Sequence, residues 1–346
     1  MNYILTTIDV EGPKGEGYDS TDPIRNFIWC KDNMENSYGL EMIINMLDSY
    51  NVKGLFFVDL AEAFDYGREL ITKVIQYILE KKHIVGVHLH PNHMLDENRH
   101  FLFQYSKEEQ YMMISKCTQL YEDIVQEKPL FFRAGKYSAN YDTLDILNDL
   151  GYKYDFSQFY RSSWCGINPP LTADRPCKYK ELIEIPVTTF FSINIPFFKR
   201  VDKIDLEMSK WSHNYVIKSL ANEDGNIVVL FLHSFSFVNW RDDPNNPTFS
   251  KSKYKTVHNN FKHAIMSKNI MSIAPWKIEE LIQNNEIICV ENQECRVAMN
   301  NPFLSYLYLL MTAFRIKKTN KKAQLFILAN GMILLFATML LSACVL

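Results

Sequence analysis

The sequence predicts a closed (β/α) barrel of seven or eight units, followed by a helix long enough to cross a membrane. Strand-like runs alternate with amphipathic helical patterns along residues 1–290, which favours a barrel of parallel strands. Residues capable of chemistry follow these strands at their carboxyl ends. No glycine-rich dinucleotide loop or Walker loop follows any strand, although such loops are typical of open doubly wound sheets.

Eight runs rich in apolar and β-branched residues predict the strands. In chain order they are YILTTI, VKGLFFV, HIVGV, PLFF, YKYDF, LIEIPV, NIVVLFL and a weaker IMSI. Helical patterns lie between most of them, with apolar residues recurring every three or four positions. Ser106 precedes the third pattern and Glu109 follows three residues later, a capping box that predicts where this helix begins. Asn140 is interpreted as the N-cap of the next helix.

The composition excludes several classes of protein. The chain has 346 residues, 47% of them hydrophobic, which is enough for a sizeable core. A formal net charge of -3, without a basic stripe interleaved with aromatic residues, gives no reason to expect a nucleic-acid partner. The seven cysteines are scattered without CxxC spacing and therefore predict reduced thiols in a cytosolic setting.

The C-terminal tail predicts attachment to a membrane. Residues 323–346 contain no charged residue, and a helix of that length matches a hydrocarbon core of about 30 Å. The flank at residues 315–322 is rich in lysine and arginine, so the positive-inside rule places the bulk of the chain in the cytoplasm. We expect a barrel over 1–290, an interfacial segment with the basic flank over 291–322, and a single transmembrane helix over 323–346. A tail lying in the membrane interface is the alternative.

Polar side chains cluster at the carboxyl ends of the predicted strands. In a barrel these ends converge on one face, where active sites are built. The residues are Asp9 and Glu11 after the first strand, His88, His90 and His93 after the third, Arg133 after the fourth, Asp155 at the end of the fifth and His233 at the end of the seventh.

These residue types together predict metal-assisted hydrolysis. Two histidines and a carboxylate from another strand suit a catalytic divalent ion, with zinc as the first expectation. Such an ion lowers the pKa of bound water and polarises a carbonyl. Asp9 and Glu11 lie two residues apart on one extended segment and share a face, so one can bind metal while the other serves as general base. His233 is suited to protonate the leaving group, and Arg133 to pair with the base.

Six motifs in order resemble those of a known family. They are TTIDVEG, VGVHLHPNH, FFRAGKYSAN, YKYDFSQ, IEIPVT and VVLFLHS, within residues 1–285. Together they resemble the five-motif pattern of the polysaccharide deacetylase family, carbohydrate esterase family 4, with its nodulation-type deacetylase domain. The resemblance implies a distorted (β/α) barrel that hydrolyses acetyl groups on glycans with a bound metal, usually zinc.

The resemblance also implies a role for each strand-end residue. Asp9 is the implied catalytic base, Glu11 the metal-binding carboxylate, His88 the first metal-binding histidine, Arg133 the arginine that orients the base and His233 the general acid. Tyr137 and Gly135 fall where family members contact the substrate and its oxyanion. We also expect Asp155 and Trp164 to bind substrate, Trp164 by stacking on a sugar from a loop. Asp155 as a simple strand-end cap is the alternative.

Several departures mark the chain as a divergent member. Val10 separates Asp9 from Glu11, whereas the common first motif has adjacent aspartates. The common second motif places its histidines four residues apart, but the residue four after His88 is Asn92. The second metal-binding histidine is therefore His90 or His93, and His90 is favoured.

The sequence thus predicts a metal-dependent carbohydrate deacetylase held at the cytoplasmic face of a membrane. It would remove acetyl groups, N-acetyl favoured, from a glycan, a lipid-linked saccharide or a sugar-nucleotide precursor. Two alternatives stay open. One is a hydrolase of another linear or cyclic amide, and the other is a catalytically inactive glycan-binding or scaffold protein at the membrane.

Overall fold

The computed structural model describes residues 1–14, 20–172, 174–195, 198–221 and 225–290. The predicted interfacial segment at 291–322 and the predicted membrane helix at 323–346 lie outside these residues. Among the described helices, none combines the length and the apolar character needed to cross a membrane. The described residues divide into two compact units, one made of the described parts of 1–188 and 204–290 and the other of the described parts of 189–203.

Thirteen strands lie in the described residues. In chain order they are β1 (Asn2–Val10), β2 (Leu55–Asp59), β3 (Ile84–Leu89), β4 (Phe131–Ala134), β5 (Tyr154–Asp155), β6 (Cys177–Tyr179), β7 (Leu182–Glu184), β8 (Thr189–Ile195), β9 (Phe198–Lys203), β10 (Ile227–His233), β11 (Val238–Asn239), β12 (Thr248–Phe249) and β13 (Ile270–Ser272). All eight predicted runs contain one of them. In the second unit, β8 and β9 form an antiparallel hairpin.

The first unit is built on one sheet of nine strands in the order β10-β1-β2-β3-β4-β5-β7-β6, with β13 paired to β1. All of its ladders are parallel except the one between β6 and β7. The predicted α/β class with parallel strands is therefore confirmed. The expected closed ring is not found, because among the described strands the ladder does not return from β6 to β10. The antiparallel strand β6 occupies the free edge of β7, where a closing parallel strand would pair.

Helices cover the connections between most of the strands. They are α1 (Leu40–Ser49), α2 (Glu62–Tyr66), α3 (Arg68–Glu80), α4 (Lys107–Val125), α5 (Tyr141–Leu150), α6 (Lys210–Leu220), α7 (Lys251–Ile265) and α8 (Ile278–Gln283). The capping box at the start of α4 is confirmed, since Ser106 accepts a hydrogen bond from the Glu109 backbone N–H. Asn140 likewise caps α5 through the backbone N–H of Thr143. The short helices α2 and α8 have no predicted counterpart.

The strands carry an apolar core at their amino ends and polar groups at their carboxyl ends. Alternate residues of a strand point to the same face. Tyr3 and Leu5 of β1 belong to a buried apolar cluster that also contains Leu55, Phe57, Phe131, Ile227 and Val229. Continuing each strand by the same two-residue step leads from the core to Asp9, Asp59, Arg133 and His233. Period-two alternation therefore brings these polar side chains to the face of the sheet above the core.

Candidate active site

The strand register brings the predicted chemical residues together. Asp9 of β1 is the ladder partner of His233 in β10, and His88 of β3 is the partner of Arg133 in β4. Val10 is buried on the opposite face of β1, which explains why the two carboxylates flank it. The convergence expected from the strand ends is therefore present in the structure.

Three of these side chains form a group that can hold a metal ion. Glu11, His88 and His90 each offer one ligand atom, and these atoms lie within 4.8 Å of one another. The Oε2 atom of Glu11 lies 2.9 Å from Nε2 of His88 and 2.7 Å from Nε2 of His90. One carboxylate and two imidazoles are the donor set that zinc and similar ions prefer in catalytic sites.

The orientation of His88 fits a metal ligand. Its Nδ1 atom lies 2.7 Å from the carbonyl oxygen of Arg133, which can only accept, so Nδ1 carries the hydrogen. In the neutral ring, Nε2 then directs a lone pair at the carboxylate of Glu11, and that contact requires a proton or a cation between the two atoms. A histidine that donates its other N–H to a backbone carbonyl is the usual arrangement around bound metals. The residues therefore fit the metal that the family resemblance implies.

The electrostatics of this group favour a negative Glu11. Burial raises the pKa of Glu11, but attraction to His90 and hydrogen bonds from His88 and His90 outweigh it and hold the pKa well below its usual range. Burial lowers the pKa of His88, whereas Asp9 and Glu11 act in the opposite direction and raise it to about 9. The site thus concentrates negative charge where two imidazoles converge, which favours cation binding.

A glycine gives His90 the space it occupies. A Cβ atom added to Gly135 would lie 2.6 Å from both Cγ and Cδ2 of the His90 ring. Gly135 lies directly after β4, at the start of a short 3-10 helix, Gly135–Tyr137. Its contribution in the structure is close packing under a metal-ligand candidate. Direct contact of Gly135 with substrate stays a prediction.

Asp9 lies beside the metal-ligand candidates and is held by a buried arginine. Nη1 of Arg133 donates to Oδ1 of Asp9 at 2.6 Å, and Nη2 donates to Oγ1 of Thr7 at 3.0 Å. The guanidinium carbon of Arg133 lies 4.2 Å from the centre of the Phe57 ring, so the cation is enclosed by core aromatic groups. Oδ2 of Asp9 lies 3.9 Å from Nε2 of His88. Asp9 is thus a fixed carboxylate next to the metal group.

His233 approaches the same group from β10. Its Nε2 atom lies 3.5 Å from Oε1 of Glu11, and 27% of its side chain is exposed. The ring stacks on Phe235 with centroids 4.7 Å apart and meets the edge of Phe231 at the same distance. These contacts fix the plane of the imidazole while leaving part of it open to solvent, as proton transfer to a bound substrate requires.

Tyr137 is buried between aromatic rings near Arg133. Its ring contacts Phe159 and Phe231 with centroid separations of 5.5 and 6.2 Å. Burial raises the pKa of its phenol well above the usual range, so the hydroxyl stays protonated. Its backbone has a φ of 58°, an uncommon left-handed conformation for a non-glycine residue. A role of Tyr137 at the substrate stays a prediction.

Three other candidates are not members of the Glu11, His88 and His90 group. His93, the alternative metal ligand, lies with Asp59 and Glu62 in a second cluster. Asp155 is wholly buried and accepts a hydrogen bond from Ser157 at 2.6 Å. This contact suits the alternative of a strand-end cap, and a contact of Asp155 with substrate stays a prediction. Trp164 is 51% exposed on the loop after β5, and stacking on a sugar stays a prediction for it.

Two buried acids near the site are absent from the residues predicted from the sequence. Asp59 ends β2 and Glu62 lies in α2, and both are completely buried. Asp59 satisfies the same strand-end criterion that selected Asp9 and Asp155, so its position after VKGLFFV was a usable signal. No sequence signal identified Glu62, because its position near the site depends on the turn between β2 and α2.

The comparisons with known proteins agree with the fold and with part of the motif pattern. The family model "Polysaccharide deacetylase" matches residues 32–154, a range that contains His88, His90 and Arg133. No curated protein matches the chain.

Three solved structures illustrate the likeness. A putative polysaccharide deacetylase from Mycobacterium smegmatis is 15% identical, with 86% of this chain and 95% of that chain covered and a TM-score of 0.53. A family 4 carbohydrate esterase from Streptomyces lividans in complex with acetate is 11% identical, with coverage of 84% and 98% and a TM-score of 0.41. A peptidoglycan deacetylase from Bacillus subtilis is 13% identical, with coverage of 82% and 93% and a TM-score of 0.39.

The Mycobacterium smegmatis structure shows the shared fold, and the family match contains two of the six motifs in full, VGVHLHPNH and FFRAGKYSAN. The resemblance carried by the sequence is therefore confirmed: the chain is similar to polysaccharide deacetylases in the residues that the family model matches.

Proposed function

We propose that this protein is a metal-dependent hydrolase that removes acetyl groups, N-acetyl favoured, from a saccharide. The observation that carries the proposal is the convergence of Glu11, His88 and His90 within 4.8 Å, next to the carboxylate of Asp9 fixed by Arg133. A metal group beside a separate, oriented base is the arrangement that hydrolysis of an unactivated amide requires.

Glu11, His88 and His90 are the residues that would hold the ion. When bound, a divalent ion of this kind polarises an acyl carbonyl and lowers the pKa of water. The remaining chemistry falls to the side chains around it. Arg133 holds the carboxylate of Asp9 in place beside the site through the 2.6 Å contact, so that Asp9 can accept the proton of the attacking water.

His233 is the proposed donor of the proton that the leaving nitrogen requires. Water adds its oxygen to the acyl carbon, the C–N bond breaks, and the products are acetate and a free amine. The attacking water gives one proton to Asp9, and the leaving nitrogen must receive a proton to depart as an amine. His233 is the candidate donor because its Nε2 lies 3.5 Å from Glu11 Oε1 and part of its ring is exposed. The backbone N–H of Tyr137 is the candidate donor to the developing oxyanion.

The proposed substrate is an acetylated saccharide precursor available in the cytoplasm, either lipid-linked or carried on a nucleotide. This choice rests on the sequence of residues 315–346, where a basic flank precedes an uncharged apolar tail. Cell fractionation tests the membrane setting. The full chain should sediment with membranes and resist a high-salt wash, and a variant lacking 323–346 should be released. A full chain found only in the soluble fraction would contradict it.

Metal content combined with acetate release tests the catalytic proposal. The full-length protein should contain metal, and His88→Ala should lose the ion held with Glu11 and His90. The wild type should release acetate from N-acetylated oligosaccharides or sugar nucleotides, and the variant should not. His263→Ala serves as the control, since this histidine lies outside both described metal-candidate groups.

Two results would refute this function. A folded wild type whose metal content is unaffected by His88→Ala would leave the Glu11 group without its ion. A protein that binds this ion and releases no acetate from any N- or O-acetylated saccharide, but hydrolyses another amide, would reassign the substrate class.

A further inference from the structure

A second cluster of potential metal ligands lies apart from the catalytic group. Asp59 ends β2, Glu62 lies in α2, and His93 ends a 3-10 helix, Pro91–His93. Each offers one ligand atom, these atoms lie within 4.8 Å of one another, and all three residues are buried. None of them has a task in the proposed hydrolysis.

His93 is oriented as a metal ligand would be. Its Nδ1 atom lies 2.9 Å from Oδ2 of Asp65, and Asp65 is itself paired with Lys14. With Asp65 ionised by this pairing, the Nδ1 atom of His93 carries the hydrogen. The lone pair of Nε2 is then directed at Oδ2 of Asp59, 3.9 Å away. This separation is too long for a hydrogen bond. In the carboxylate–histidine–metal pattern, one ring nitrogen donates to a carboxylate and the other binds the metal. Asp65 is the carboxylate at Nδ1 of His93, and Nε2 faces the candidate ligand Asp59.

Two oxygen atoms of the cluster lack the partners that burial demands. Oδ2 of Asp59 and Oε2 of Glu62 accept no hydrogen bond from the described residues, although both residues are completely buried. Leaving a buried carboxylate oxygen unsatisfied costs free energy unless a cation or a proton compensates it. The unpartnered atoms belong to the two acids that form this cluster with His93.

The other oxygen of each acid holds a backbone segment of the catalytic group. Oδ1 of Asp59 accepts from the backbone N–H of His90 at 3.3 Å. Oε1 of Glu62 accepts from the backbone N–H of Gly12 at 2.6 Å, next to Glu11 in the chain. An ion bound to Oδ2 of Asp59 and Oε2 of Glu62 would therefore hold both acids in place. Through their other oxygen atoms, these acids position the backbone at His90 and at Gly12.

We propose that Asp59, Glu62 and His93 bind a second divalent cation of the zinc and manganese class. The imidazole nitrogen favours these ions over calcium and magnesium, which prefer oxygen ligands. The site is buried, so the ion is structural and stiffens the segments that carry Glu11 and His90. A proton shared between the two acids is the competing account of the unpartnered oxygens, and metal counting distinguishes a bound cation from a shared proton.

Metal counting on the full-length protein and matched variants tests this site. The protein is stripped with a chelator, reloaded separately with zinc and with manganese, desalted and measured by elemental mass spectrometry. For at least one of the two metals, we expect about two ions per chain in the wild type, about one in His93→Ala and about one in His88→Ala. The control His263→Ala should keep the wild-type count.

Asp59→Asn distinguishes loss of a metal ligand from misfolding, because the amide has nearly the shape of the acid. It should also lose about one ion while circular dichroism and urea unfolding show a folded chain. A wild type that holds about one ion, lost in His88→Ala and kept in His93→Ala and Asp59→Asn, would overturn the second site and favour the shared proton. One ion lost only in His93→Ala would instead retain the second site and remove the metal from the proposed hydrolase.

Discussion

Replacing Gly135 by alanine tests how closely the fold packs around His90. The added Cβ would lie 2.6 Å from Cγ and Cδ2 of the His90 ring. Non-bonded carbon atoms in contact are about 3.5–4.0 Å apart, so the ring or the turn must move by roughly 1 Å. The backbone of Gly135 lies outside the left-handed region, so the expected effect is steric and does not arise from φ.

The consequence should appear in metal affinity and rate more than in folding. Disturbing the groups that orient a metal ligand costs about 10–100-fold in affinity, and a misplacement of about 1 Å costs about 100-fold in rate. Overpacking alone destabilises a fold by about 1–3 kcal/mol. We therefore expect Gly135→Ala to fold, to bind zinc about 10–100-fold more weakly and to release acetate about 100-fold more slowly.

The assay is a competition titration of zinc against a chromogenic chelator, alongside urea unfolding. Gly151→Ala is the matched control. Unlike that of Gly135, its φ of 83° penalises a side chain, but no atom lies within 4 Å of the added Cβ. This control should lose roughly 1–2 kcal/mol of stability and keep its zinc affinity. If Gly135→Ala binds zinc as tightly as the wild type does, His90 is not a ligand held by this contact and the site geometry is refuted.

Three further substitutions probe the base, its partner and a buried acid pair. Asp9→Asn should keep the metal and lower acetate release by about 10²–10⁴-fold; loss of the ion would instead place Asp9 among the ligands. Arg133→Leu leaves the buried Asp9 carboxylate unpaired and should cost about 3–5 kcal/mol in urea unfolding, and adding Asp9→Asn should recover part of that cost. Glu184 has a pKa raised well above its usual range by burial and by Asp155, so its contribution to stability is present below its unfolded pKa and is lost as pH rises through the folded one. The drop in unfolding free energy from pH 5 to pH 8 should therefore be smaller in Glu184→Gln, and an equal drop in both proteins would contradict the raised pKa.

The order of elements and the face of the sheet that carries the site were predictable because both follow from local periodicity. Each predicted run contains a strand, and the two-residue alternation along β1 and β4 places Asp9 and Arg133 above the apolar core. Among the elements missing from the prediction were the antiparallel strand β6, which takes the edge of β7, and the short helix α2. Both are too short for a periodic pattern to distinguish them from a loop.

The sequence by itself determined the parallel α/β architecture and the set of polar residues at the strand ends, since apolar alternation and strand-end chemistry are properties of short segments. Tertiary structure decided which of these residues belong to the Glu11 group and which to the Asp59 group. His90 meets Glu11 at 2.7 Å, while His93, only three residues later, meets Asp65 at 2.9 Å. Pro91 begins a 3-10 turn after β3, and that turn directs the two rings to different groups of acids. The acids that each ring contacts come from β1, β2 and α2 or from residues next to them. The choice of acid is therefore a long-range property, which the spacing of HLHPNH cannot predict.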